Sequence, residues 1–155
     1  IYNSTVDWDT GTGQDIIDDM NGVLIKVWNN SANVHIPDTL LIPSARYAQI
    51  SSQRMDTGTD TTVLEFFKAN NLFTSTTGQQ ITVKPLLELE TAGATAGQRM
   101  VAYEKLPDNL FMKQPIPWRA LAPQPQGLRI EVPCEYKLSG VSWRYPGSAA
   151  YRDFI

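Results

Sequence analysis

The sequence predicts an α+β fold, and three observations lead there. A long stretch near the start carries apolar residues at helical spacing, strand-then-helix units follow it, and the last third changes to strict period-2 alternation. The chain has 155 residues, 42% hydrophobic and 19% charged, with 10 glycines and 10 prolines. That is enough to bury a core as one structural unit over 1–155, and it excludes collagen-like and low-complexity sequence. No apolar run approaches the roughly 18 residues of a membrane-spanning helix; Leu40-Leu41-Ile42 is stopped by Pro43.

From Thr12, the residues Ile16, Ile17, Met20, Val23, Leu24, Val27 and Trp28 form the apolar stripe of an amphipathic helix. Thr12 as N-cap with Asp15 three residues on is the pattern of a capping box. Gly22 inside this helix costs about 1 kcal/mol relative to alanine, which points to a close approach by another element. Leu40-Leu41-Ile42 reads as a short buried strand, and Pro43-Ser44 opens a second helix carrying Tyr47 and Ile50. Thr61 or Thr62 caps a third helix, with Val63, Leu64, Phe66 and Phe67, that ends near Asn70-Asn71, where asparagine tolerates a left-handed C-cap. Ile81 to Leu89 reads as a strand interrupted by Pro85.

Strands dominate the remainder. Met100 to Tyr103 and Leu110 to Met112, joined across Leu106-Pro107-Asp108-Asn109, are expected to form a hairpin. From 128 to 138, Leu128, Ile130, Val132, Cys134, Tyr136 and Leu138 alternate with polar residues and Pro133, which places this strand at an edge or a bulge. A tight turn at Ser139-Gly140 would fold it back on Val141, Trp143 and Tyr145 as a long two-stranded ribbon. On that reading Cys134 faces a core.

The chemistry-bearing residues are few. Cys134 and His35 are the only cysteine and histidine, which excludes an intramolecular disulfide, a Cys/His zinc site and a relay of two histidines. His35 reads as a surface or satisfied side chain. Asp9-Thr10-Gly11 and Asp56-Thr57-Gly58 have the letters of an aspartic protease but lack the preceding apolar strands, so both read as turns. Counted from Asp7, a calcium loop would need glycine and glutamate where Thr12 and Asp18 stand. Gly11-Thr12-Gly13 before a helix lacks the strand, third glycine and lysine of a phosphate-binding loop. The sequons at Asn3 and Asn29 would matter only in a secreted protein. No metal or cofactor is expected.

With 13 basic and 16 acidic side chains the formal charge is −3, and no basic block supports a specific nucleic-acid site. Residues 1–98 carry 5 basic and 11 acidic groups, whereas 99–155 carry 8 and 5, an asymmetry suited to self-association. Of the four tryptophans, Trp28 and Trp143 sit on apolar faces suited to core packing. Trp118, in the proline-punctuated run Gln114 to Arg119, is the better anchor for a subunit interface, with Pro117 and Arg119 beside it.

Several segments together carry a resemblance: the Ile16 to Trp28 helix, Pro37 to Pro43 leading into Tyr47, Thr62 to Lys68, Arg99 to Tyr103, Pro123 to Leu128, Val132 to Glu135, and Arg144 to Ala149. Their order and spacing resemble the C-terminal half of a tailed-phage or prophage major capsid protein of the Hong Kong 97-like fold. The resemblance implies an axial domain over about 12–105 and long β ribbons, including peripheral-domain strands, over about 106–155. The N-terminal arm and spine helix of that family are absent from this sequence, so the chain is expected to be a C-terminal fragment of a capsid subunit. It further implies a non-enzymatic structural protein that self-assembles into hexamers and pentamers of an icosahedral shell around a genome. Scaffold or decoration proteins are implied partners, the virion its location and the bacterial host cytoplasm its place of assembly. Two rivals remain: another self-assembling phage component such as a tail or connector protein, and a small metal-dependent enzyme using the acidic segment Asp7, Asp9 and Asp15.

Overall fold

The computed structural model describes residues 1–2, 6–56 and 58–153. The chain forms two compact units, 1–105 with 145–155, and 106–144. The sequon at Asn3 and the turn at Thr57 lie outside the described residues.

The first unit begins with helix α1, Gly13–Asn30, capped as the sequence predicts: the Thr12 side chain accepts from the Asp15 amide, and the Asp15 carboxylate accepts from the Thr12 amide. Its apolar stripe is buried from Ile16 to Val27, and Trp28 is half-buried. Gly22 is where the Tyr2 ring crosses the helix; a Cβ there would overlap the ring, the close approach that its cost in helix propensity foreshadowed.

Strand β1, Thr39–Pro43, runs straight into α2, Ser44–Ser52. Helix α3, Val63–Ala69, is capped by a second capping box at Thr62 with Glu65. Its end differs from expectation: Asn70 has φ −127° rather than a left-handed value, and Asn71 instead caps a further short helix α4, Leu72–Thr77, closed by left-handed Gly78. This helix is too short and too rich in threonine and serine to show a helical stripe.

Strand β2, Thr82–Leu86, contains Pro85 and pairs in parallel with β1 at the edge of the sheet, where a proline with no amide hydrogen is tolerated. Strands β3, Arg99–Tyr103, and β10, Ala149–Asp153, complete a mixed sheet of order β10-β3-β1-β2. Helix α1 packs on β3 and β10, and α2 on β1 and β2, so β1 is buried along most of its length. The core joins Trp8, the α1 stripe, Leu40, Ile42, Phe67 and Met100.

Deep in this core an ion pair ties the last strand to the first helix. Arg152 and Asp19 are each 1% exposed and in contact, the Trp8 indole donates to Asp19 at 2.7 Å, and the Arg152 guanidinium also donates to the Val6 carbonyl. Burial lowers the Arg152 pKa, with the nearby Tyr2 and Asp7 acting against that shift.

The second unit corrects the expected strand pairing. Leu106 to Asn109 does turn, with the Asn109 amide donating to Leu106 at 3.0 Å, but β3 pairs with β1 and β10 and forms no hairpin with the strand that follows. Instead residues 106–144 fold as one long hairpin of three nested pairs. Strand β4, Leu110–Met112, pairs with β9, Val141–Trp143; β5, Ile116–Ala120, pairs with β8, Cys134–Lys137; β6, Gln124–Gln126, pairs with β7, Arg129–Glu131. The reversal sits at Gly127, with φ +64°, and Ser139-Gly140 lies within an arm, where the Ser139 amide donates to Lys113 at 2.8 Å. Glycine at 127 supplies the positive φ that a two-residue reversal demands, which outweighs the turn preference of Ser-Gly elsewhere.

Candidate subunit interface

The predicted contact residues lie on the hairpin. In β5 the register slips between Ile116 and Arg119, a bulge that takes up Pro117, which has no amide to give to a ladder. Beyond the bulge the Arg119 Nε donates to the Glu135 carboxylate at 2.6 Å, directly across the ribbon. Across the bulge Pro117 and Trp118 together stand against Tyr136, while Ala120 pairs with Cys134 on the face away from the Arg119–Glu135 pair. Trp118 is 65% and Tyr136 63% exposed.

Sequence reasoning singled out Trp118, Pro117 and Arg119 and read the neighbouring exposed residues differently. It read the alternating strand from 128 to 138 as the inward face of a core, with Cys134 a small core hydrophobe. Cys134 is exposed, and so are Leu128, Ile130, Val132, Tyr136 and Leu138. Trp143, expected to pack inward, is 37% exposed. Of the 17 exposed large hydrophobic residues among the described ones, 11 fall in 106–144, and that segment adds none to the hydrophobic core. Alternation reports that a strand has one apolar side; it carries no information about what covers it. Trp8, by contrast, is completely buried in the core.

The other candidate residues are engaged structurally. The Asp9 carboxylate is held by both terminal nitrogens of Arg46, whose hydrogen bond and charge lower its pKa. Asp15 caps α1, and its pKa is lowered by the Thr12 hydroxyl and amide. Asp7 accepts from the Asp9 amide at 3.0 Å in a local turn. The acidic segment therefore spends its carboxylates on a salt bridge, a cap and a turn, and among the described residues no three metal-ligating side chains converge. His35 is satisfied: its Nδ1 lies 2.6 Å from Glu104, and its ring packs on Tyr145 at 5.4 Å. Gly11-Thr12-Gly13 is a helix entry, as its lack of a complete phosphate-loop pattern indicates. Among the described residues no helix is long and apolar enough to cross a membrane.

No curated protein matches the chain. Among solved structures it is similar to the capsid of Myoviridae phage XM1, at 14% identity and a TM-score of 0.76, covering 98% of this chain and 50% of that one. The chain thus spans about half the length of the capsid chain it matches and shares its mixed α and β fold. The sequence profile of the family described as major capsid protein matches residues 2–155, essentially the whole chain, and the chain therefore belongs to the major capsid protein family.

Proposed function

We propose that this chain is the C-terminal half of a tailed-phage major capsid subunit with a Hong Kong 97-like fold. Its work is to make the repeated contacts of hexamers and pentamers in an icosahedral shell that encloses the genome. The observation that carries this is the family match over residues 2–155, and the fold shared with a phage capsid supports it. The subunit assembles in the bacterial host cytoplasm, with scaffold or decoration proteins as further partners, and resides in the virion.

On this reading residues 12–105 are mainly axial, and the ribbon from 106 contributes strands to the peripheral domain. A change of compact unit at Lys105 supports that boundary, while the pairing of β10 with β3 favours counting 149–153 with the axial sheet. Trp118, Pro117 and Arg119 lie at a subunit contact, supported by the exposure of Trp118 on an otherwise uncovered ribbon. Shell contacts are numerous and individually modest, so the function needs surfaces rather than a reactive centre.

The test is the particle state of the full-length subunit, by light scattering and negative-stain microscopy. Closed shells or rings of five or six are the expected result. Tubes would favour a tail component, and a monomer at every concentration and salt would overturn the assembly reading.

A further inference from the structure

We propose that His35 is a protonation-sensitive clasp at the root of the hairpin. It holds both legs by which the chain leaves and re-enters the globular unit, and holds them more firmly when its imidazole is charged. The inference goes beyond the capsid reading and does not depend on it. On the outgoing leg, which follows β3, the His35 Nδ1 lies 2.6 Å from a Glu104 carboxylate oxygen. On the returning leg, the His35 ring packs on the Tyr145 ring at a centroid distance of 5.4 Å. The legs also meet each other there, the Glu104 amide donating to the Ser148 carbonyl at 3.2 Å. All of these residues belong to the globular unit, and one imidazole bridges its two chain exits.

The loop before His35 presents it rigidly. Ser31 closes the end of α1, its hydroxyl donating to the Trp28 carbonyl at 3.0 Å and accepting from the His35 amide at 3.0 Å. Ala32 and Asn33 both stand in the left-handed region, at φ +52° and +65°. Neither is glycine, so the hydrogen bonds around them impose that conformation, as happens where a side chain must be aimed. At the far end of the loop the Asp38 carboxylate accepts from the Lys105 amide at 2.8 Å, a second tie to the outgoing leg.

Protons reach the imidazole from solvent. The His35 side chain is 18% exposed and lines an open cleft of about 450 Å³ with Asn30, Ser31, Val34, Tyr145 and Pro146. Histidine is the side chain whose ordinary charge change falls between about pH 5 and 8, and His35 is the only one in the sequence. The charged and titratable groups on the surrounding elements are Asp38 on its own loop, Tyr103, Glu104 and Lys105 on the outgoing leg, and Arg144 and Tyr145 on the returning one. Of these Glu104 stands in hydrogen-bond contact with the imidazole. A charge-assisted hydrogen bond is about twice as strong as a neutral one, so charging His35 strengthens its hold on Glu104. The open cleft keeps the pair hydrated on one side, which limits the desolvation cost of the charged state. The added hold is present while the imidazole is protonated and is lost as pH rises through its titration.

Hydrogen exchange read by mass spectrometry on the full-length subunit, kept unassembled at low concentration, tests this. Protection is compared at about pH 6 and about pH 8, after correction for the intrinsic exchange rate, over peptides covering 103–106 and 144–148. Wild type should show about fivefold greater protection of these root amides at the lower pH, with the interiors of α1 and β1 unchanged.

His35→Gln keeps a donor but takes up no proton, and Glu104→Gln removes the carboxylate, so each should abolish the pH response. Equal protection of the wild-type root at both pH values overturns the proposal. So does a response shared equally by α1 and β1, which reports general stability instead. A response that survives in His35→Gln belongs to another group and overturns it as well. The wild-type comparison decides on its own if a variant fails to fold. None of these outcomes bears on the capsid reading, which stands or falls on particle assembly.

Discussion

The buried pair of Arg152 with Asp19 ties the last strand of the globular unit to its first helix. Both groups are 1% exposed, so removing one leaves the other charged and dry. Asp19→Ala should cost about 3–5 kcal/mol in chemical denaturation, because it strips Arg152 of its counter-charge and the Trp8 indole of its acceptor. Asp19→Leu combined with Arg152→Met should recover most of that loss, since an apolar pair of similar volume leaves no stranded charge.

A second pair works nearer the surface. Arg99 and Asp153 face each other across β3 and β10, with the Arg99 Nε at 2.6 Å and a terminal nitrogen at 3.0 Å. The Arg99 hydrogen bond is the main cause holding the Asp153 carboxyl below its usual value of 3.8. A carboxyl whose pKa is depressed by folding adds stability that is present above its unfolded pKa and lost as pH falls through the folded one. Thermal melts should therefore show wild type losing stability more steeply than Asp153→Asn below about pH 4. Equal slopes for the two proteins would refute the assignment.

At the scale of elements, stability is concentrated where helices begin. Thr12 and Thr62 head two capping boxes, and replacing either by alanine should cost about 1 kcal/mol, with near-additive effects if the two caps act independently. Gly13 sits at the first turn of α1 against the backbone of Met55, where an added Cβ would lie 2.7 Å from the Met55 carbonyl oxygen. Backbone yields poorly, so Gly13→Ala should destabilise by about 1–3 kcal/mol, seen as a lower denaturation midpoint. At Gly22 the obstacle is the far end of the Tyr2 side chain, which swings aside, so Gly22→Ala should be much milder.

For the molecule as a whole, the hairpin is an insertion between two strands that already pair. Tyr103 is the register partner of Ala149, and the Glu104 amide donates to Ser148 at 3.2 Å, so chain leaves and re-enters the globular unit at adjacent points. None of the core residues lies in 106–144. Replacing that segment by a short glycine-rich turn should leave the globular unit folded, with a melting temperature within a few degrees of the intact chain. The same deletion in the full-length subunit should abolish assembly. Loss of folding on deletion would mean that the hairpin supports the globular unit itself.

What the sequence determined by itself was local. The α1 stripe and its Thr12 cap, the β1-to-α2 junction and the Thr62 cap were legible because helix hydrogen bonds and caps join residues three or four apart. The succession of short segments also carried the major capsid protein resemblance, which the family match bears out. Tertiary structure decided everything that joins distant residues. Nothing near Asp19 names Arg152, and nothing near Arg99 names Asp153. Period-2 alternation showed that 128–138 is a strand with an apolar side, yet a strand's partner is selected by non-local pairing and turn geometry. Left-handed Gly127, rather than Ser139-Gly140, closed the hairpin, so the strand paired backwards and its apolar side faced outward. Alternation looks the same whether the apolar face is buried or exposed, and only the folded molecule distinguishes the two.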